Sequence, residues 1–126
     1  MKRLLDFIKA HWISIPLCLV ILYLCFMDTE PLPKVSIINF DKFVHCCMFL
    51  TVSGIIFFEN SKYFKKSVSI GNLVKYSFFF PTIYSGLIEI GQEYLTSTRS
   101  GDWLDFLFDG IGAFLGLIIC IMINKR

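Results

Sequence analysis

Charge is what this sequence has least of. Asp, Glu, Lys and Arg make up 17% of its 126 residues and apolar residues 56%, whereas a soluble domain carries about 25% charge. That ratio excludes a chain that is mostly water-facing. One integral membrane domain over residues 1–126 is expected, with little chain left for a soluble one. Other absences narrow the reading. There is no repeat, low-complexity tract or soluble linker, and no CxxC. Cys18, Cys25, Cys46, Cys47 and Cys120 all lie inside apolar runs, so they read as small apolar side chains. No small-x-small cleavage pattern follows the first apolar run, where Asp28-Thr29-Glu30-Pro31 comes instead, and no small residues precede Cys25 as a lipidation site requires. An uncleaved first membrane helix is expected. No Ser-His-Asp order, phosphatase signature or cysteine nucleophile is present.

What the chain does have is four apolar stretches, approximately Trp12–Met27, Phe43–Phe58, Leu73–Ile90 and Trp103–Ile123. About 20 helical residues cross a hydrocarbon core of about 30 Å. The first two stretches reach that length by extending through Leu4–Ala10 and over Asp41–Asn60. Pro16 and Pro81 stand in or near helix starts, where a kink is tolerated. The expected fold is all-α: a polytopic membrane protein, a compact bundle of four transmembrane helices.

Orientation follows from the basic residues of the short loops. Nine of the twelve fall in three places: Lys2, Arg3 and Lys9; Lys62, Lys65, Lys66 and Lys75; Lys125 and Arg126. The other loops hold only Lys34, Lys42 and Arg99. Both termini and the middle loop are therefore expected in the cytoplasm, with loops 28–42 and 91–102 outside the cell membrane. Lys62, Lys65 and Lys66 also suit contact with anionic inner-leaflet lipid. Of ten acids, only Asp6 and Glu59 fall on the inner side. Trp12, Tyr23, Tyr94 and Trp103 are placed as interfacial anchors.

The acidic and imidazole side chains within the apolar stretches are His45, Glu89, Asp105 and Asp109. Each costs roughly 2.5–3.5 kcal/mol to insert if charged, so each is a functional-site hypothesis by default. At ~1.5 Å per helical residue, His45 sits about 6 Å below an entry at Asp41, and Glu89 about 7–8 Å below an exit at Tyr94. Asp105 and Asp109 sit about 3 and 9 Å below Trp103. All four fall in one shallow layer. Asp102, Asp105, Asp109, Gly112 and Gly116 share one helical stripe, as do Gly86, Glu89, Glu93 and Thr96, with Gln92 beside them. Asp41 and His45 share a face. The small residues of the first stripe let helices pack closely.

Six acids (Asp41, Glu89, Glu93, Asp102, Asp105, Asp109) face only Lys42, Arg99 and a titratable His45. Crowded carboxylates cannot all stay ionised, so some are protonated, a cation binds, or Arg99 is shared among them. His45, Glu89, Asp105 and Asp109 are the candidates for proton chemistry. Asp41, Lys42, Gln92, Arg99 and Asp102 complete the expected ligand-binding set. Arg99 is expected in an ion pair with the surrounding acids. His45 serves equally as a structural donor or as a direct ligand, and Asp102 equally as a helix N-terminal charge. One imidazole among carboxylates suits Mg²⁺, Ca²⁺ or Mn²⁺ better than zinc, so a divalent cation is the one cofactor the residues admit.

The ordered set Asp41-Lys42-x-x-His45, Glu89-x-x-Gln92, Arg99, and Asp105-x-x-x-Asp109-x-x-Gly112-x-x-x-Gly116 resembles the VanZ-like family of small bacterial membrane proteins. The resemblance runs from Phe40 to Gly116. The family commonly has Asn in place of Asp109 and a Tyr near Phe49. The likeness implies a helical membrane protein linked, in some members, to resistance against glycopeptide antibiotics.

Three functions are open at this point. The first is recognition of an amphiphile at the outer leaflet, a lipid-linked envelope precursor or a glycopeptide-type antibiotic. The second is a carboxylate- or metal-dependent membrane hydrolase or transferase. The third is a small transporter or ion conduit, disfavoured by the lack of charge in the inner halves of the helices. Membrane lipids and the amphiphile are the expected partners, with no nucleic acid.

Overall fold

A computed structural model describes residues 1–27, 39–63 and 69–124. Asp28–Pro31, Lys34, Lys65, Lys66, Lys125 and Arg126, which the sequence reading used, lie outside the described residues. Those described are 87% helical and form no strand. The helices are α1 (Lys2–Ala10), α2 (Ser14–Phe26), α3 (Phe40–Tyr63), α4 (Ile70–Val74), α5 (Phe80–Leu95) and α6 (Trp103–Asn124), with a π-helical segment, Lys75–Phe79, between α4 and α5.

Among the described residues, α3 and α6 are long and apolar enough to cross a membrane. The pair α1–α2 passes the same test together but bends by 72°, so the count is two spans, or three with that pair. The stretch Leu73–Ile90, expected as one span, runs through α4, the π segment and α5. Proline explains both irregularities. Pro81 lacks an N–H, and its ring presses on the carbonyl four residues back, that of Ser77. The helix widens there, and the Phe80 N–H bonds to the Lys75 carbonyl five residues back, the signature of a π-bulge. Pro16 acts alike: the residue four back is Trp12, which lies in the break between α1 and α2.

The start of α2 is held from another helix. Its N-cap, Ile13, has no side chain able to cap. Glu59 of α3 supplies the missing acceptor, taking the Ile13 N–H at 2.9 Å and the Ser14 N–H at 3.3 Å on Oε1. Its Oε2 accepts from the Ser14 hydroxyl and faces His11 Nδ1 at 3.2 Å. A carboxylate at a helix N-terminus satisfies orphan donors and complements the macrodipole. The far end of α2 is tied to α5 and the loop after it: the Cys25 carbonyl accepts from Gln92 Nε2 at 2.7 Å and Arg99 Nη1 at 3.0 Å.

The central pairing is α3 against α6. A Cβ built on Gly112 would stand 2.1 Å from the Cys46 carbonyl oxygen, and one on Gly116 would stand 2.6 Å from that of Leu50. Only glycine permits this approach of two backbones. Ser53 seals the contact, donating to the Ala113 carbonyl at 2.8 Å. Phe49, Val52 and Ile56 pack on Ile21, Cys25 and Ile88, and a second cluster joins Phe57, Leu73, Leu117 and Cys120. Outward, Leu19, Val20, Phe79, Leu107, Phe114 and Met122 are exposed, apolar side chains of the kind that lipid covers. Trp12, Tyr23, Tyr94 and Trp103 are also exposed, as interfacial anchors must be.

Two stability experiments follow. Gly112→Ala forces a methyl into backbone, so detergent-solubilised protein should lose at least the ~1–3 kcal/mol typical of overpacking. Gly110→Ala, with nothing within 4 Å of its Cβ, should melt like the parent; equal melting of the two variants would refute the tight α3–α6 contact. Glu59→Ala strands two N–H groups and an imidazole, and should cost about 2–4 kcal/mol. Asp6→Ala serves as the control, and a matching melt for the two would show that the cap contributes nothing.

Candidate functional site

Three helices and one loop converge at the end of the bundle where α3 and α6 begin. Their first two turns bring Lys42 and His45 from α3 opposite Asp105 and Asp109 from α6. Lys42 Nζ bridges Asp102 Oδ2 and Asp105 Oδ1, each at 3.0 Å. His45 Nδ1 lies 3.0 Å from Asp109 Oδ1, and His45 Nε2 lies 3.9 Å from Asp105 Oδ2. An ionised carboxylate only accepts, so Nδ1 carries the proton and Nε2 is left for a second role. The other Asp109 oxygen accepts from the Ser85 hydroxyl of α5. Asp109 is 1% exposed, and its pairing with imidazole and hydroxyl is what makes that burial tolerable.

The loop after α5 folds back over the site. Gly101 comes so close to α5 that a Cβ would stand 2.5 Å from the Glu89 carbonyl oxygen. The Gly101 N–H bonds Glu93 Oε2 at 3.0 Å, and the Asp102 N–H bonds Glu89 Oε2 at 2.8 Å. Asp102 then caps α6, its Oδ1 accepting from the Leu104 N–H at 2.8 Å. That N–H, and after it the Lys42 ammonium, hold the Asp102 carboxyl below its usual range. Of the roles weighed for Asp102, the helix N-terminal one is therefore present, and its other oxygen meets Lys42. Glu89 has only half its needs met: it is 7% exposed, and its Oε1 is buried without a hydrogen-bond partner among the described residues.

The structure thus gathers Lys42, His45, Glu89, Asp102, Asp105 and Asp109 as the spacing indicated, with Asp41 exposed at the rim. Gln92 and Arg99 stand apart from that cluster. The ion pair expected for Arg99 is not among its described contacts; its Nη1 meets the Cys25 carbonyl, where the last turn of α2 leaves an acceptor open. Two groups offer donor atoms all within 4.8 Å of one another, the spacing a metal ion requires: Asp41, His45 and Asp105, and His45, Glu89 and Asp109. Alongside the cluster, α5 and α6 enclose a cleft of about 640 Å³. Ile90, Trp103 and Phe106 line it on the apolar side, and Glu89, Glu93 and Asp102 on the acidic side.

Sequence reasoning missed three polar residues. Ser85 carries no charge, and nothing in its spacing marks it. His11 and Glu59 form a buried pair, 9% and 8% exposed, at the opposite end of α3. Glu59 is 14 residues from His45, about 21 Å along the helix at 1.5 Å per residue. The end of the bundle away from the cluster, expected to be free of buried charge, therefore holds an ionisable pair among the described residues. His11 and Glu59 each flank an apolar run, and that shared depth was the available signal.

The family described as VanZ/LLP1 matches residues 4–124, nearly the whole chain. No curated protein and no solved structure matches significantly. The match takes in the whole cluster, the Gly112 and Gly116 contact and the caps on α2, and the chain belongs to the VanZ/LLP1 family of membrane proteins.

Proposed function

We propose that this VanZ-family protein recognises an amphiphile at the outer leaflet of the cell membrane, with both termini in the cytoplasm. The basic residues at 2, 3, 9, 62 and 75 supply the orientation. The observation that carries the function is the two-sided chemistry of the cleft between α5 and α6. Trp103, Phe106 and Ile90 offer an apolar wall to a tail or ring system. Glu89, Glu93 and Asp102 offer acceptors to a polar head. Its volume of about 640 Å³ falls among those of small-molecule sites, which combine apolar walls with a few polar groups. Lipid-linked envelope precursors and lipid-bearing glycopeptide antibiotics both have this split character.

A hydrolase or transferase is the second reading, and one contact favours it. Asp109 orients His45 as carboxylates orient catalytic imidazoles, leaving Nε2 for proton transfer. A conduit is not favoured. Between His45 and Glu59, α3 buries Phe49, Val52, Ile56 and Phe57, and the Ser53 hydroxyl is spent on a carbonyl. No chain of titratable groups links the two ends among the described residues.

Trp103 makes the cleft measurable. With Trp12→Phe it is the remaining tryptophan of two. Titrating that protein in nanodiscs with a lipid-bearing glycopeptide, or with a polyprenyl pyrophosphate, should quench its emission. Glu89→Gln should weaken the apparent affinity about tenfold, or about 1.4 kcal/mol. Neither probe changing the emission, together with unchanged glycopeptide susceptibility of cells expressing Glu89→Gln or Lys42→Ala at equal level, would dispose of amphiphile recognition.

A further inference from the structure

We infer that His45, Glu89 and Asp109 form a binding site for one divalent cation of the Mg²⁺/Mn²⁺ class, set at the floor of the amphiphile site between α3, α5 and α6. Two independent observations meet here. The first is geometric: donor atoms of the three residues lie within 4.8 Å of one another, and all three side chains are buried. His45 Nδ1 and Asp109 Oδ1 are 3.0 Å apart, the separation of two neighbouring ligands that each sit about 2.1 Å from one ion. The second is chemical. Among the described residues, Glu89 Oε1 is a buried carboxylate oxygen without a hydrogen-bond partner, a costly state for a buried acceptor. Its sister Oε2 is already committed to the Asp102 N–H, so the carboxylate is aimed and held with one oxygen unspent.

The other groups of the cluster have partners inside the protein. Lys42 is shared by Asp102 and Asp105, and Ser85 fixes the second oxygen of Asp109. That hydroxyl and the Asp102 N–H are supports of the kind that orient ligating carboxylates. For Nδ1 to take the cation its proton moves to Nε2, which faces Asp105 Oδ2 at 3.9 Å, so the imidazole ligates in its neutral form. One nitrogen and two carboxylate oxygens, with water completing the shell, suit Mn²⁺ and Mg²⁺ better than a tetrahedral thiolate metal.

The inference rests on the proposed function for its meaning but not for its test. The cleft beside the site is lined by Glu89, Glu93 and Asp102, acceptors that suit the hydroxyl and amide donors of a polar head but leave its phosphates without a counter-charge. An ion on His45, Glu89 and Asp109 gives a phosphate-bearing amphiphile a positive point to bind, as metal ions do for phosphate oxygens elsewhere.

The test uses the full chain in detergent, freed of metal with chelator and titrated with Mn²⁺ alone. Electron paramagnetic resonance should count one bound Mn²⁺ per chain, with a ¹⁴N coupling from imidazole. Glu89→Gln and His45→Gln should each weaken binding at least tenfold while melting, metal-free, within a few degrees of the parent. Glu93→Gln, an exposed acid of the same cleft, should bind as the parent does. Absence of stoichiometric Mn²⁺, absence of the ¹⁴N coupling on the parent, or equal binding by all variants overturns the site. The ¹⁴N coupling decides the matter even if the two variants fail to fold. Because no amphiphile is present, loss of the metal site leaves amphiphile recognition to stand on Trp103 quenching. Metal binding without any quenching overturns amphiphile recognition alone.

Discussion

The arrangement depends on how closely α3 and α6 approach each other. Where Gly112 meets the Cys46 carbonyl and Gly116 meets that of Leu50, the two backbones touch with no side chain between them. His45 precedes Cys46, and Asp109 precedes Gly112 by less than one turn. The glycine contact thereby fixes both the register and the separation of the helix ends above it. A hydrogen bond of 3.0 Å between an imidazole and a carboxylate on separate helices tolerates little slack. Widening the pair by one methyl would separate them and leave a buried imidazole and a buried carboxylate without their mutual contact, a cost added to the packing loss itself. The small residues are thus part of the polar site even though they carry no chemistry.

A second theme is the use of scarce polar side chains to complete neighbouring helices. α2 has no charged residue within its bounds, yet both its ends are satisfied from outside. Glu59 of α3 takes the N–H groups at its start, while Gln92 of α5 and Arg99 of the following loop take the Cys25 carbonyl at its close. In lipid an unmet backbone group costs several kcal/mol. One carboxylate and one guanidinium at helix ends repay their own burial this way. The two groups sit where the macrodipole favours them, the anion at the N-terminus and the cation at the C-terminus.

How much of this was legible in the sequence divides along a physical line. Helical periodicity and a fixed rise per residue are local rules, and they placed His45, Glu89, Asp105 and Asp109 in one layer and Gly112 and Gly116 on one stripe. They apply wherever the helix is regular. Partner choice is not local. Arg99 stood among acids in the sequence, but a seven-residue loop between α5 and α6 directs it to α2, a segment 74 residues away. Glu59 looked like a boundary residue because the apolar run ends at Phe58, and nothing local announces that α2 lacks a cap. The two proline effects were half legible: each kink was tolerable at its place, but whether the helix breaks, as at Trp12, or widens by one residue, as at Lys75–Phe79, is settled by tertiary packing.

The charge balance of the cluster separates a structural role from a functional one. If the acids existed only to hold helices together, each would end paired, because a buried unpaired carboxylate oxygen gives no stability and costs some. Asp102, Asp105 and Asp109 satisfy that condition through Lys42, His45, Ser85 and the Leu104 N–H. Glu89 does not. Among the described residues its Oε1 stays unmet although Ser85 lies one turn away on α5 and His45 of α3 is close by, and the Asp102 N–H holds the carboxylate in that position rather than letting it turn to solvent.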